Sequence, residues 1–179
     1  MARHVVVGSL VVLMTLLWAA GAQGQAPSGQ PASGAPQMSN YVIPYGAPIT
    51  LEDARKAATA AVAEARKSGW LMAAAVVDPA GDLVYYEKMD NVQLGSAKVA
   101  IGKARSAALF KRPTKAFEAA VAGGGAGLRV LGLEGAVPLE GGVPIMVDGK
   151  IIGAIGLSGD LSENDGKCAK AGIDALAKH

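Results

Sequence analysis

The stretch GGVPIMVDGKIIGAIGLSG, residues Gly141–Gly159, carries the strongest local structural signal in the chain. Two apolar runs, Val143–Val147 and Lys150–Leu157, flank the dipeptide Asp148-Gly149. An Asp-Gly pair between apolar runs is typical of a type I′ turn, in which both central residues have a positive φ. The stretch therefore predicts a β-hairpin late in the chain.

A second hairpin is predicted upstream of the first. The continuous apolar run Leu71–Val77 is too short for a typical helix and ends at the turn Asp78–Gly81, and Leu83–Lys88 then provides the returning strand. Because side chains alternate across a strand, Tyr85 and Tyr86 are expected on opposite faces of the sheet.

Helical patterns surround the two hairpins. Thr50 is predicted to cap the first helix, with Asp53 at its third position, and Gly69 ends that helix. The next helices are predicted at Ala97–Phe110, capped by Ser96, at Lys115–Val121, and from Ser162 or Glu163 through Ala177. The glycines of Gly123–Gly127 are interpreted as a hinge rather than a phosphate loop, and a short strand is one interpretation of residues 128–139.

The order is therefore helix, hairpin, helix, short helix, hairpin, helix. Hairpins separated by helices favour one antiparallel sheet with helices packed on its faces. The sequence predicts an α+β fold.

The first 40 residues differ in composition from the rest. Arg3 precedes the apolar run Val5–Ala20, and Ala20 and Ala22 form an A-x-A cleavage pattern. A membrane-spanning helix is the alternative, but it needs about 20 apolar residues and this run is shorter. We therefore expect a signal peptide at residues 1–22, an uncharged Pro/Gly/Ser-rich tether at 23–40, a domain at 41–179, and a periplasmic or extracellular location.

Composition narrows the possible chemistry. The net charge of +2 gives no reason to expect nucleic acid as a partner. Cys168 is the single cysteine, so no intramolecular disulfide can form, and the only histidines are His4 and His179. Apart from its last residue, His179, the predicted domain therefore has no histidine, which is the commonest general base and the usual axial ligand of heme. It also shows no nucleophile–base pair or paired carboxylates at catalytic spacing.

Five motifs in chain order resemble the GlcG/HbpS-type heme-binding family: TLEDARKAATAAVAEARKSG, AAAVVDPAGDLVYYEKMD, IGKARSAALFKRPT, LEGGVPIMVDGKIIGAIGLSG and DGKCAKAGI. The resemblance covers about residues 49–176. It implies a profilin-like α+β domain that forms homo-oligomers and in some members binds heme; the same domain is found fused to some corrinoid adenosyltransferases. The family's last helix often begins with an acidic pair, where this chain has Asp165-Gly166, so any metal or partner contacts made by that pair in the family are not carried over to this chain.

The basic stretch Lys98–Lys115 contains no acidic residue and would suit the two propionates of a tetrapyrrole. The alternative is a solvated helix whose last turn carries cations that balance its dipole. With the resemblance, we predict that Lys103, Arg105 or Arg112 holds the anionic groups.

Thr114 lies in the motif RPT, which in the heme-binding relatives is close to the ligand. The resemblance implies a hydroxyl that faces the iron, while the residues alone indicate a helix cap after Pro113. Met72 and Met146 are expected to fill the core, and Cys168 to be a small buried hydrophobic residue. The other candidate iron ligands are Met89, Met146, Tyr85, Tyr86 and Cys168.

The sequence thus predicts an exported, oligomeric module that binds heme or another tetrapyrrole, with a membrane sensor as a candidate partner. Two alternatives stay open: a histidine-independent enzyme that acts on a small organic acid, and a structural or sensory partner of a membrane protein.

Overall fold

The computed structural model describes residues 42–177, so the predicted signal peptide and tether lie outside the described residues. Its elements follow in chain order: α1 (Leu51–Lys67), β1 (Ala73–Val77), β2 (Leu83–Lys88), α2 (Ser96–Leu109), α3 (Lys115–Ala122), a 3-10 helix (Gly125–Gly132), β3 (Gly142–Val147), β4 (Lys150–Ser158) and α4 (Ser162–Leu176). Between residues 42 and 177 the chain has no helix with the length and hydrophobicity that a membrane crossing requires.

The four strands form one sheet in the order β2-β1-β4-β3, and every neighbouring pair is antiparallel. The two predicted hairpins are therefore both present, and they join through β1 and β4, where Val76 pairs with Ile155. At the β3–β4 turn Asp148 and Gly149 have φ values of 49° and 72°, as a type I′ turn requires. The predicted α+β fold is confirmed.

The helices lie on both faces of this sheet. The core of one face is built by α1 and α4, and the core of the other by α2. Alanines dominate both cores, and a Cβ at Gly156 of β4 would collide with the carbonyl oxygen of Ala100 on α2. Small residues thus let α2 approach the sheet closely. This close packing sets the position of the polar side chains of α2 relative to the sheet.

Local capping follows the prediction at one helix and not at another. The backbone N–H of Asp53 donates to the Thr50 hydroxyl at 3.1 Å, so the predicted cap of α1 is confirmed. Ser96 is instead the first residue of α2 and makes no capping bond; its hydroxyl accepts from Ser158 on β4 at 3.4 Å. The Ser96 prediction was wrong because that hydroxyl faces the sheet.

Two further expectations were wrong. Residues 128–139 contain no strand: positive φ values at Gly124 and Gly125 turn the chain into the 3-10 helix. Met146 is 46% exposed rather than in the core, because the pairing of β3 with β4 shifts register directly after the buried Ile145, and the following Val147 is exposed too. Met72 is fully buried, as expected.

Candidate functional site

A buried ion pair lies where α2, α4 and the segment before β3 meet. Lys103 Nζ of α2 is 2.7 Å from Asp165 Oδ2 of α4, and both side chains are only 2% exposed. The same ammonium donates to the Glu140 carbonyl at 2.7 Å. Burial raises the pKa of Asp165, while its bond to Lys103 acts in the opposite direction. The Lys103 ammonium therefore joins α2 to α4 and to the segment before β3.

Thr114 ties the start of α3 to β3. Its side chain is completely buried, and its hydroxyl oxygen accepts from the Gly142 backbone N–H at 2.9 Å. The Thr114 backbone N–H donates in turn to the Gly142 carbonyl at 2.9 Å. Although Thr114 directly precedes α3, its side chain makes no capping bond. The cap interpretation was wrong because the hydroxyl serves the neighbouring strand instead.

Lys103 and Thr114 belong to one polar junction, which we define as Lys103, Thr114, Glu140, Gly142 and Asp165. A Cβ on Gly142 would collide with the Lys103 carbonyl and approach Thr114 Cγ2 to 2.7 Å, so the two segments are in contact there.

The junction extends outward through Glu140. Its backbone N–H donates to the Glu118 carboxylate, and its own carboxylate lies 2.8 Å from Lys115 Nζ. That hydrogen bond with Glu140 is the main reason that the pKa of Lys115 is raised.

The cationic end of α2, which we define as Arg105, Leu109, Lys111 and Arg112, is more open than the junction. Arg105 is exposed, and its Nε donates a hydrogen bond to the Gly81 carbonyl at 2.8 Å. The side chains of Arg105 and Leu109 lie side by side over Gly81, each with Cγ 3.5 Å from the position of a Cβ there. Leu109 is 47% exposed. An exposed apolar side chain thus lies beside the aliphatic stem of an exposed arginine.

Lys111 and Arg112, the other two cations of this group, follow the end of α2 in the chain. Arg112 is half-buried, donates from Nε to the Phe110 carbonyl at 2.9 Å and lies 5.3 Å from the centroid of the Phe117 ring. Lys111 Nζ donates to the Ile43 carbonyl at 2.8 Å and lies 4.2 Å from the centroid of the Tyr45 ring. The Tyr45 hydroxyl donates to the Ala108 carbonyl at 3.0 Å. The strand-like segment before α1 therefore adds an aromatic ring to the cationic end of α2.

A second open depression lies between α1 and β2. It is lined by Leu51, Glu52, Arg55 and Tyr85. Its chemistry is mixed, because an acidic side chain lies beside the arginine, and a carboxylate ligand would have to approach both.

The remaining iron-ligand candidates lie in different places. Cys168 is buried, and desolvation raises the pKa of its thiol to about 11, which disfavours a thiolate. Met89 Sδ accepts from the Met72 backbone N–H at 3.3 Å. Tyr85 and Tyr86 contact the cores on opposite faces of the sheet, as predicted. Among the described residues, the Tyr86 hydroxyl is the buried side-chain group with no hydrogen-bond partner.

The four predicted ligand-binding residues thus fall into two groups. Lys103 and Thr114 are brought together in the polar junction, whereas Arg105 and Arg112 lie at the cationic end of α2. Sequence reasoning missed Asp165 and Glu140, the partners of Lys103. The helical phase contained a usable signal, because Lys103 comes three residues after Ala100 and four before Ala107, on the apolar stripe of α2.

Comparison with known proteins gives a consistent result. A family model described as haem degrading protein HbpS-like matches residues 49–174. Protein GlcG of Escherichia coli K12 is 42% identical over 95 residues, which cover 53% of this chain and 69% of GlcG. The crystal structure of HbpS has a TM-score of 0.68 at 30% identity and covers 76% of this chain and 96% of HbpS. The crystal structure of a PduOC–heme complex has a TM-score of 0.65 at 28% identity, with 72% and 94% covered. The chain belongs to the HbpS-like family.

Proposed function

We propose that this chain binds heme or another tetrapyrrole at the cationic end of α2. The observation that carries the proposal is the exposed Leu109 side chain beside the stem of the exposed Arg105, with Arg112 close in sequence beyond the helix end. Heme is a flat apolar ring with two carboxylates, so it needs apolar surface and cations together. Arginine is suited to carboxylates because its planar fork can donate two parallel hydrogen bonds.

The described residues fit the carboxylates of heme better than they fit its iron. Residues 42–177 contain no histidine. Thr114 as the iron ligand stays a prediction, and it requires the completely buried hydroxyl to become accessible to the metal. Lys103 would likewise have to leave Asp165 to reach a propionate. We therefore assign the propionates to Arg105 and Arg112, and to Lys103 and Thr114 the task of holding α2 and α3 in place. Bound heme supplies redox-active iron, which suits a role in heme or redox sensing or in iron handling.

Three ligands separate the parts of this proposal. Hemin, protoporphyrin IX without iron, and hemin dimethyl ester without free carboxylates are titrated into the purified protein and followed at the Soret band. We expect saturable hemin binding without the low-spin spectrum of bis-histidine heme. Hemin dimethyl ester should bind at least about tenfold more weakly, the loss expected for one charge-assisted contact. Equal affinity for hemin and its ester would overturn the propionate assignment, and a featureless hemin titration would overturn heme binding.

The depression lined by Arg55 and Tyr85 supports a second candidate function, the binding of a small organic acid by an enzyme that needs no histidine. A carboxylate could pair with Arg55 while the Tyr85 phenol provides a hydrogen bond. Arg55→Gln should then abolish small-acid binding and leave hemin binding unchanged.

We also propose that this module works outside the cytoplasm, in the periplasm or beyond the cell. There it would form a homo-oligomer, with a membrane sensor as its candidate partner. The positively charged start, apolar run and A-x-A pattern of residues 1–22 support export. Intact-mass measurement of protein from the extracytoplasmic fraction should find a chain that starts near Gln23. Recovery of the full-length chain from the membrane would contradict this.

A further inference from the structure

The segment between α3 and β3, residues 123–141, leaves its leucines about half exposed. Its 3-10 helix has no buried residue, and α3 is its main neighbour. A connection of this length in a compact domain usually has a function of its own. Four leucines of the segment are between 42% and 64% exposed: Leu128, Leu131, Leu133 and Leu139.

The segment nevertheless has a defined backbone conformation. Gly124 and Gly125 take positive φ values, and the N–H groups of Leu133 and Ala136 donate to carbonyls three residues earlier, each at 3.1 Å. Ordering a segment costs conformational entropy, which burial of its apolar side chains normally offsets. Here the rest of the described protomer leaves those side chains about half exposed. Several exposed leucines in one short segment are typical of an interaction surface.

The charges on the same segment indicate what covers it. Arg129 and Glu134 are exposed, and between residues 42 and 177 neither has an ion-pair or hydrogen-bond partner. They have opposite charge and lie two residues before and three residues after Leu131 in the sequence. A two-fold axis that passes between the two charges would bring Arg129 towards Glu134 of the partner subunit, so the charges of the segment are complementary to those of a second copy.

We propose that residues 128–139 form the surface through which two copies of this chain associate. The inference rests on the homo-oligomer part of the proposed function and specifies its interface. The chain's own residues 23–40 are a poorer occupant, because they contain no charged residue that could pair with Arg129 or Glu134.

The test uses charge reversal at the proposed pair. Arg129→Glu and Glu134→Arg each create like charges across the axis, whereas the double variant restores opposite charges. Mass by analytical ultracentrifugation over a range of concentrations is the readout, and circular dichroism melting checks the fold. We expect each single variant to weaken association at least tenfold, and the double variant to recover most of it.

A leucine pair provides the matched control. Leu131→Asp should reduce the oligomer to smaller units, because it places a charge at the centre of the surface. Leu161→Asp, at a side chain of similar exposure (67% against 64%) before α4, should leave the mass unchanged.

The outcomes separate the two proposals. A wild-type protein that is a single protomer at every concentration overturns both the homo-oligomer and this interface. A wild-type oligomer that survives Leu131→Asp and both charge reversals overturns this interface alone. Single reversals that dissociate the protein without recovery in the double variant overturn the two-fold pairing of Arg129 with Glu134.

Discussion

Lys103 and Arg105 lie two residues apart on α2, but the first is buried and the second is exposed to solvent. Lys103 is 1% exposed and bound to Asp165 and to a backbone carbonyl. Arg105 is exposed, its aliphatic stem lies over Gly81, and its Nε donates to the Gly81 carbonyl. Two residues rotate a helix by about 200°, so one cation faces the protein and the other faces solvent. A run of basic residues on a helix can therefore contain both buried and exposed cations, and the position of each residue around the helix distinguishes them.

The largest effect that should distinguish the two cations is on stability. Lys103→Met removes the ammonium and leaves Asp165 buried without its partner, which should lower the free energy of unfolding by about 3–5 kcal/mol. Arg105→Gln, the matched control on the same helix, should cost about 1 kcal/mol or less, because the group is solvated. Urea unfolding curves measure both. A loss below about 1 kcal/mol for Lys103→Met would show that the junction does not depend on the ion pair.

A double variant sharpens the same comparison. Lys103→Met with Asp165→Leu removes both charges, so neither is left uncompensated. Its destabilisation should be well below the sum of the single changes, by roughly 1–3 kcal/mol of coupling. Additive losses in the same urea experiment would argue that the two side chains act independently.

Thr114 should show a smaller effect, and a matched pair of substitutions isolates its oxygen. Thr114→Val keeps the shape but leaves the buried N–H of Gly142 without an acceptor, a cost of about 1–3 kcal/mol. Thr114→Ser keeps the oxygen and loses one methyl group, at about 1 kcal/mol. Thermal melting ranks the two variants. If Val is tolerated as well as Ser, while hemin spectra change only in Val, the hydroxyl serves the ligand rather than β3.

The smallest effect concerns Cys168, which lies one turn beyond Asp165 on α4. Burial raises the pKa of its thiol from 9.0 to about 11, so the folded chain keeps a proton that the unfolded chain releases. Stability should therefore fall as pH rises through that interval, with no contribution from this thiol below it. Cys168→Ala should flatten this part of the stability–pH curve. Rapid alkylation of the native thiol at pH 8 would contradict its burial.

Local signals were sufficient to predict most of the fold. The Asp148-Gly149 turn, the two apolar runs and the Thr50 cap each depend on neighbours in sequence, and all three are confirmed. The errors at Ser96 and Thr114 share one cause. Each hydroxyl had a local capping role available, but a strand distant in sequence provides its partner instead.

The candidate site was harder to predict for the same reason. Lys103 and Asp165 are 62 residues apart, and no local pattern brings them together. Periodicity could have assigned Lys103 to the apolar stripe of α2, but it could not have identified the anion that makes its burial possible. The exposure of residues 128–139 likewise depends on tertiary packing.

We propose that the arginines at the cationic end of α2, exposed Arg105 and half-buried Arg112, hold a tetrapyrrole, and that the buried Lys103 does not. The hemin dissociation constant of the double variant Arg105→Gln/Arg112→Gln is measured beside that of Arg55→Gln, a change in the depression between α1 and β2. We expect at least about tenfold weaker binding in the double variant, with a melting temperature within a few degrees of the parent. Arg55→Gln should bind hemin as the parent does. Unchanged hemin affinity in a folded double variant, or a loss confined to Arg55→Gln, would show that Arg105 and Arg112 do not hold the ligand.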